Sequence, residues 1–86
     1  MAESAIFYEE QSPGLGAEYL DDVQRIVNRL RENPKLGHPL VKDLRRGLLT
    51  RFPYSIIYSI ESEFILVIAV AHQRRHPYYW RERIER

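Results

Sequence analysis

Gly37 divides this chain into two periodicities, and that switch constrains its fold more than any other feature. Before it, apolar residues recur every three or four positions: Tyr19, Leu20, Val23, Ile26, Val27 and Leu30 fall on one helical face. After it the period drops to two. In the stretch 54–60, Tyr54, Ile56, Tyr58 and Ile60 face one way and Ser55, Ile57 and Ser59 the other. A helical half followed by a stranded half predicts an α+β domain, a helical hairpin packed on a small antiparallel β-meander.

Breakers set the element boundaries. Ser12-Pro13-Gly14-Leu15-Gly16 reads as a turn, because Pro presets φ and Gly permits φ > 0. Asn33-Pro34 and Gly37 form a second break, since the residue before proline disfavours the helical region. Between them a helix is predicted from Gly16 to Glu32. Its acidic residues (Glu18, Asp21, Asp22) come early and its arginines (Arg25, Arg29, Arg31) late, which complements the helix dipole. Ala2 to Gln11 reads as a further helix without an N-cap, like the tail of a longer one. Leu44 to Phe52 is expected to be a strand with a bulge at Gly47. Glu61-Ser62-Glu63 is expected to turn the chain into Phe64–Ala71. That run is apolar on both faces, which predicts a strand inside the sheet, away from its edges. Tyr78 to Glu85 is expected to add a last helical turn or two.

The chain's 86 residues make one domain, 1–86. A chain of this size buries only about 60–65% of its unfolded surface, so its stability is marginal unless something braces it. Cysteine is absent, which removes disulfides and thiolate metal sites. Phe64–Ala71 is too short to span a bilayer. The opening MAESAIFYEE has neither a basic segment nor an apolar signal core, so a cytoplasmic location away from membranes is expected. Charge is unevenly spread. Residues 1–43 carry 5 Lys+Arg against 8 Asp+Glu, a balance of −3, and residues 44–86 carry 8 against 4, a balance of +4. All eight of the latter cations are arginine, whose planar fork grips carboxylate and phosphate.

Four segments, in this order, resemble the RelE/ParE toxin superfamily, and especially its ParE-like plasmid-stabilisation branch. They are YEEQSPGLG (Tyr8–Gly16), the Asn33-Pro34…Gly37 break, RFPYSIIY (Arg51–Tyr58) and AVAHQRRHPYYWRER (Ala69–Arg83). The resemblance implies the toxin of a bacterial type II toxin–antitoxin module, a growth inhibitor neutralised by a cognate antitoxin in a hetero-oligomer. Members of the ParE branch act on DNA gyrase without catalytic residues of their own. RelE-branch members cut mRNA on the ribosome without a metal, which is the alternative activity. A third reading is an inactive remnant that only binds antitoxin. Family members usually begin with an extra strand and the first part of the first helix, and this sequence starts inside that helix. The strand at 64–71 is therefore expected to lack a neighbour, which a partner strand would supply unless the chain is a truncated reading of a longer toxin.

The resemblance also assigns candidate residues. Arg46 stands where the RNA-cutting relatives place a lysine, and Tyr79 aligns with their C-terminal tyrosine. With His72 and Arg75, these two form the candidate catalytic set of a ribonuclease. Two expected cations are missing: Ser55 follows the aromatic Tyr54, and Gln73 stands at the last strand's exit beside Arg74 and Arg75. For antitoxin or target binding the candidates are Arg45, Arg46, Arg51, Arg74, Arg75, Arg81 and Arg83, natural ligands for the carboxylates of an acidic partner, with Tyr79 and Trp80 as aromatic anchors. His38, His72 and His76 are the titratable extras. Without cysteine or a carboxylate cluster beside them, no metal and no cofactor is expected.

Overall fold

The computed structural model describes residues 2–73. Helix α1 (Ala2–Gln11) and helix α2 (Leu15–Glu32) are joined by a tight turn, and a single 3₁₀ turn (Pro34–Leu36) leads into the sheet. The strands are β1 (His38–Pro39), β2 (Leu44–Leu48), β3 (Tyr54–Ile60) and β4 (Ile65–His72). They lie in the order β1-β2-β3-β4, each antiparallel to the next. The expected α+β hairpin-on-meander is the fold observed.

The helices cover one face of the sheet. Ala5, Tyr19, Val23, Ile26 and Leu30 pack with Leu49, Phe52, Ile56 and Tyr58 into the main core. The alternation of β3 is as read: Ile56 and Tyr58 face the helices, while Ile57 joins Ala69 and Ala71 in a second cluster on the far face. Leu40, Val41, Leu44 and Ile68 pack against that second cluster.

The α1–α2 turn is held by a contact that crosses it. Gly14 takes a left-handed φ of 88° at the N-cap of α2 and offers no side-chain cap. The Glu9 carboxylate on α1 accepts instead from the amides of Gly14 (3.0 Å to Oε2) and Gly16 (3.0 Å to Oε1). A carboxylate there satisfies orphan N–H groups and sits favourably at the positive end of the helix.

Three expectations need correction. Gly47 does not bulge: β2 pairs with β3 without interruption from Leu44↔Ser59 to Leu48↔Ser55. The glycine is there for closeness, because a Cβ on it would lie 2.8 Å from Leu30 Cδ1, and α2 packs directly onto the strand. The bulge lies in β4, where Ile57 pairs with Ala69 and Tyr58 with Val67, leaving Ile68 extra. Second, β2 ends at Leu48 rather than Phe52. The following residues turn, with Leu49 N–H donating to the Tyr54 carbonyl, and Asp22 grips Thr50 and Arg51. Third, among the described residues β4 is an edge strand, not an interior one. Its half near Ala69 and Ala71 is buried, but Leu66 is 50% and Val67 40% exposed.

Candidate functional site

Strand parity decides which candidate side chains share a surface. Arg46 pairs with Ile57, which pairs with Ala69, so all three point to the far face. His72 pairs with Tyr54, which packs against the main core on the helix-side face. Arg46 and His72 therefore lie on opposite faces of the sheet. Their rows are three residues apart along β3, about 10 Å at the usual rise per residue.

Position 55, where the resemblance expects a cation, is Ser55 at 3% exposure, between Leu48 and Ala71 on the far face. With Ile57, Ala69 and Ala71 beside it, this part of the far face is neutral and packed. Arg46 is exposed at its margin, opposite His38 on β1, and its side chain makes no hydrogen bond or ion pair with the described residues.

The other described arginines of the candidate set are engaged within the fold. Arg45 points to the helix side, where its Nη1 donates to the carbonyls of Gly37 (2.7 Å) and Lys35 (3.3 Å), tying the 3₁₀ turn to the sheet. Arg51 donates its backbone N–H to Asp22 Oδ2 at 2.9 Å, and its Nη2 lies 3.5 Å from Glu18 Oε1. Arg74, Arg75, His76, Tyr79, Trp80, Arg81 and Arg83 lie outside the described residues.

His72 sits in a cleft of about 320 Å³ that sequence reasoning did not foresee, lined by Glu3, Ser4, Phe7, Tyr8 and Tyr54. Tyr54 meets His72 edge-on with ring centres 5.0 Å apart, and Tyr8 lies 6.3 Å from Tyr54. Tyr8 also packs on Tyr19 (5.3 Å) and Phe52 (4.8 Å). Burial, and then the neighbouring Tyr54 hydroxyl, push the Tyr8 phenol above its ordinary pKa. Both effects keep it neutral at physiological pH. Among the described residues the lining includes one carboxylate, Glu3, and no arginine or lysine. The described lining can receive a side chain and by itself brings no cation to a scissile phosphate. The only signal for it in the sequence was the aromatic pair at 8 and 54, and nothing local says that their two elements meet.

Asp22, the one fully buried carboxylate among the described residues, was missed. It accepts from Thr50 Oγ1 at 2.7 Å and from the Arg51 N–H at 2.9 Å, with Arg25 3.7 Å away. Burial raises its pKa, but the Thr50 hydroxyl, the Arg51 and Thr50 amides and Arg25 together lower it by more. The net direction is downward, so at neutral pH the group is an anion that fastens the β2–β3 turn to α2. It is a structural clamp.

Among the described residues no group of three or more His, Cys, Asp or Glu side chains could hold a metal ion, and no helix is long and apolar enough to cross a membrane. A family model described as the ParE toxin of the type II toxin–antitoxin system parDE matches residues 4–77. Comparison with curated proteins and with solved structures returns no match.

Proposed function

The chain belongs to the ParE toxin family of type II toxin–antitoxin systems, and from that premise we propose that it inhibits DNA gyrase and is silenced by a cognate antitoxin, without catalysing a reaction. The observation that carries this reading is the separation of Arg46 from His72 by the thickness of the sheet. Cutting RNA requires a base for the 2′-hydroxyl and cations around the same phosphate. Those groups share no surface in residues 2–73, and the positions that would add cations hold Ser55, which is buried, and Gln73. A toxin that works by occupying an enzyme needs no such constellation.

The antitoxin is read as a short, acidic, partly disordered protein whose binding segment orders on this surface. Arg46 supports that role among the described arginines, since Arg45 and Arg51 already bind within the fold. Binding such a partner would add stability to a chain this small. The test is a pair of assays on the purified chain. Inhibition of gyrase supercoiling without cleavage of ribosome-bound mRNA is the expected result. Cleavage without gyrase inhibition would transfer the reading to the ribonuclease branch, and silence in both, with no growth arrest on expression, would leave an inactive antitoxin-binding remnant.

A further inference from the structure

We propose that the groove between α2 and the β1–β2 margin docks an acidic, aliphatic segment of a partner protein, with Arg29 and Arg46 holding its carboxylates. The proposal rests on the reading of an acidic partner and gives that partner a place on the fold. It does not depend on gyrase as the target.

Shape is the first observation. Ile26 and Leu30 of α2 and Gly47 of β2 are the buried apolar part of the lining, while Leu36 and Leu48 stand at its rims, 55% and 48% exposed. The cavity between them is about 190 Å³. That is below the ~300–1,000 Å³ of small-molecule sites. It suits an aliphatic side chain presented by a larger partner, which would cover both leucines as it enters.

Charge is the second, and it selects what carries that side chain. Arg29 borders the groove from α2, and Arg46, paired with His38, borders it from the sheet margin. Both arginines are exposed, and neither side chain makes a hydrogen bond or ion pair with the described residues. Arg25, Arg45 and Arg51 differ, since each already has an oxygen partner within the fold. The described lining contains no Asp or Glu. A carboxylate-bearing segment laid across the groove therefore meets a cation from each side and no anion to repel it.

The same lining favours a polypeptide over a nucleic acid. A phosphate backbone gains nothing from the leucine rims, and the described lining has no aromatic ring on which a base could stack. Carboxylates alternating with aliphatic side chains match both the cations and the cavity.

The experiment is an NMR titration of the full, isotope-labelled chain with a short blocked peptide of alternating glutamate and leucine. Saturable shifts are expected at the amides of Leu30, Gly37, Gly47 and Leu48, with a Kd of about 0.1–1 mM. Arg29→Glu and Arg46→Glu should each weaken binding about fivefold, and that effect should shrink in high salt. Leu36→Ser should weaken it as well, with no such dependence on salt. All three positions are exposed, so folding is expected to survive, with far-UV dichroism as the check. A matching peptide of lysine and leucine should leave the groove amides unmoved, and so should a single-stranded oligonucleotide. Unmoved groove amides with the glutamate peptide, equal binding of both peptides there, affinity indifferent to both arginine reversals, or an oligonucleotide that binds the groove more tightly would each overturn the proposal. Saturable shifts confined to another surface would overturn this placement while leaving the acidic partner standing. The acidic-partner reading itself fails if the lysine peptide binds and the glutamate peptide binds nowhere.

Discussion

Removing the carboxylate of Asp22 is the sharpest test of how this fold is held together. Asp22 accepts two hydrogen bonds, from Thr50 at 2.7 Å and from the Arg51 amide at 2.9 Å, and it is fully buried. Hydrogen bonds to a charged acceptor contribute about 1.5–3 kcal/mol each. Arg25 adds little, being half exposed and 3.7 Å away. Asp22→Ala removes both acceptors and leaves the Arg51 N–H without a protein partner, so a loss of about 3 kcal/mol is expected. Asp22→Asn is gentler. Its amide can turn so that Oδ1 accepts from Arg51 and Nδ2 donates to Thr50, keeping two neutral hydrogen bonds for a loss of about half that size. The pH dependence separates the charge from the geometry. Because the folded-state pKa lies below the unfolded one, the stabilisation is complete above the unfolded value, about pH 4. It drains away as pH falls through the folded value. Wild type and Asp22→Asn, compared by urea unfolding, should differ at pH 6 and converge as pH falls below the unfolded value and through the folded one. Parallel curves over that range would refute the assignment of a buried, ionised clamp, as would an Asp22→Ala variant within about 0.5 kcal/mol of wild type.

Three further substitutions probe other joints. Tyr58→Phe deletes a hydroxyl that donates to the Pro34 carbonyl and accepts from the Gly37 N–H at 3.1 Å. Chemical denaturation should show a loss of about 2 kcal/mol, from two groups left unpaired in a buried spot. Gly47→Val forces a branched side chain against Leu30, 2.8 Å from the first added carbon. It should cost about 1–3 kcal/mol, read as a lowered Tm with the far-UV spectrum retained, and an unchanged Tm would contradict the close packing of α2 on β2. Glu9→Ala uncaps α2 and should lose about 1 kcal/mol, whereas Glu9→Gln, which retains an acceptor, should lose less.

Legibility in the sequence followed the range of the forces involved. The bounds of α1 and β3 match their local patterns, and α2 begins one residue before Gly16, because hydrophobic period and breakers are local signals. β1 was missed: two residues, one of them proline, carry no period. β2 was read too long because its end is set by Asp22, reaching from α2 across 28 residues to Thr50. Gly47 was misread because a bulge and a close helix crossing ask for the same residue, and only the Leu30 contact distinguishes them. For β4, composition told that both faces tolerate apolar neighbours, but strand order is a property of the whole sheet. Arg45 and Arg51 were read as cations for a partner; within the fold one also binds carbonyls of the 3₁₀ turn and the other reaches Glu18. A guanidinium's partner cannot be read from its own neighbours in sequence.

Ser55 ties the packing of the far face to the functional reading. A strand position that is 3% exposed, beside Ala71 and Leu48, gives a long cationic side chain no route to solvent as the sheet is packed. An unpaired arginine there would cost several kcal/mol in desolvation, in a domain whose whole stability is about 5–10 kcal/mol. The small polar residue at 55 and the alanines at 69 and 71 are thus parts of one packed arrangement on this part of the far face. A cation could be regained there only by opening that cluster.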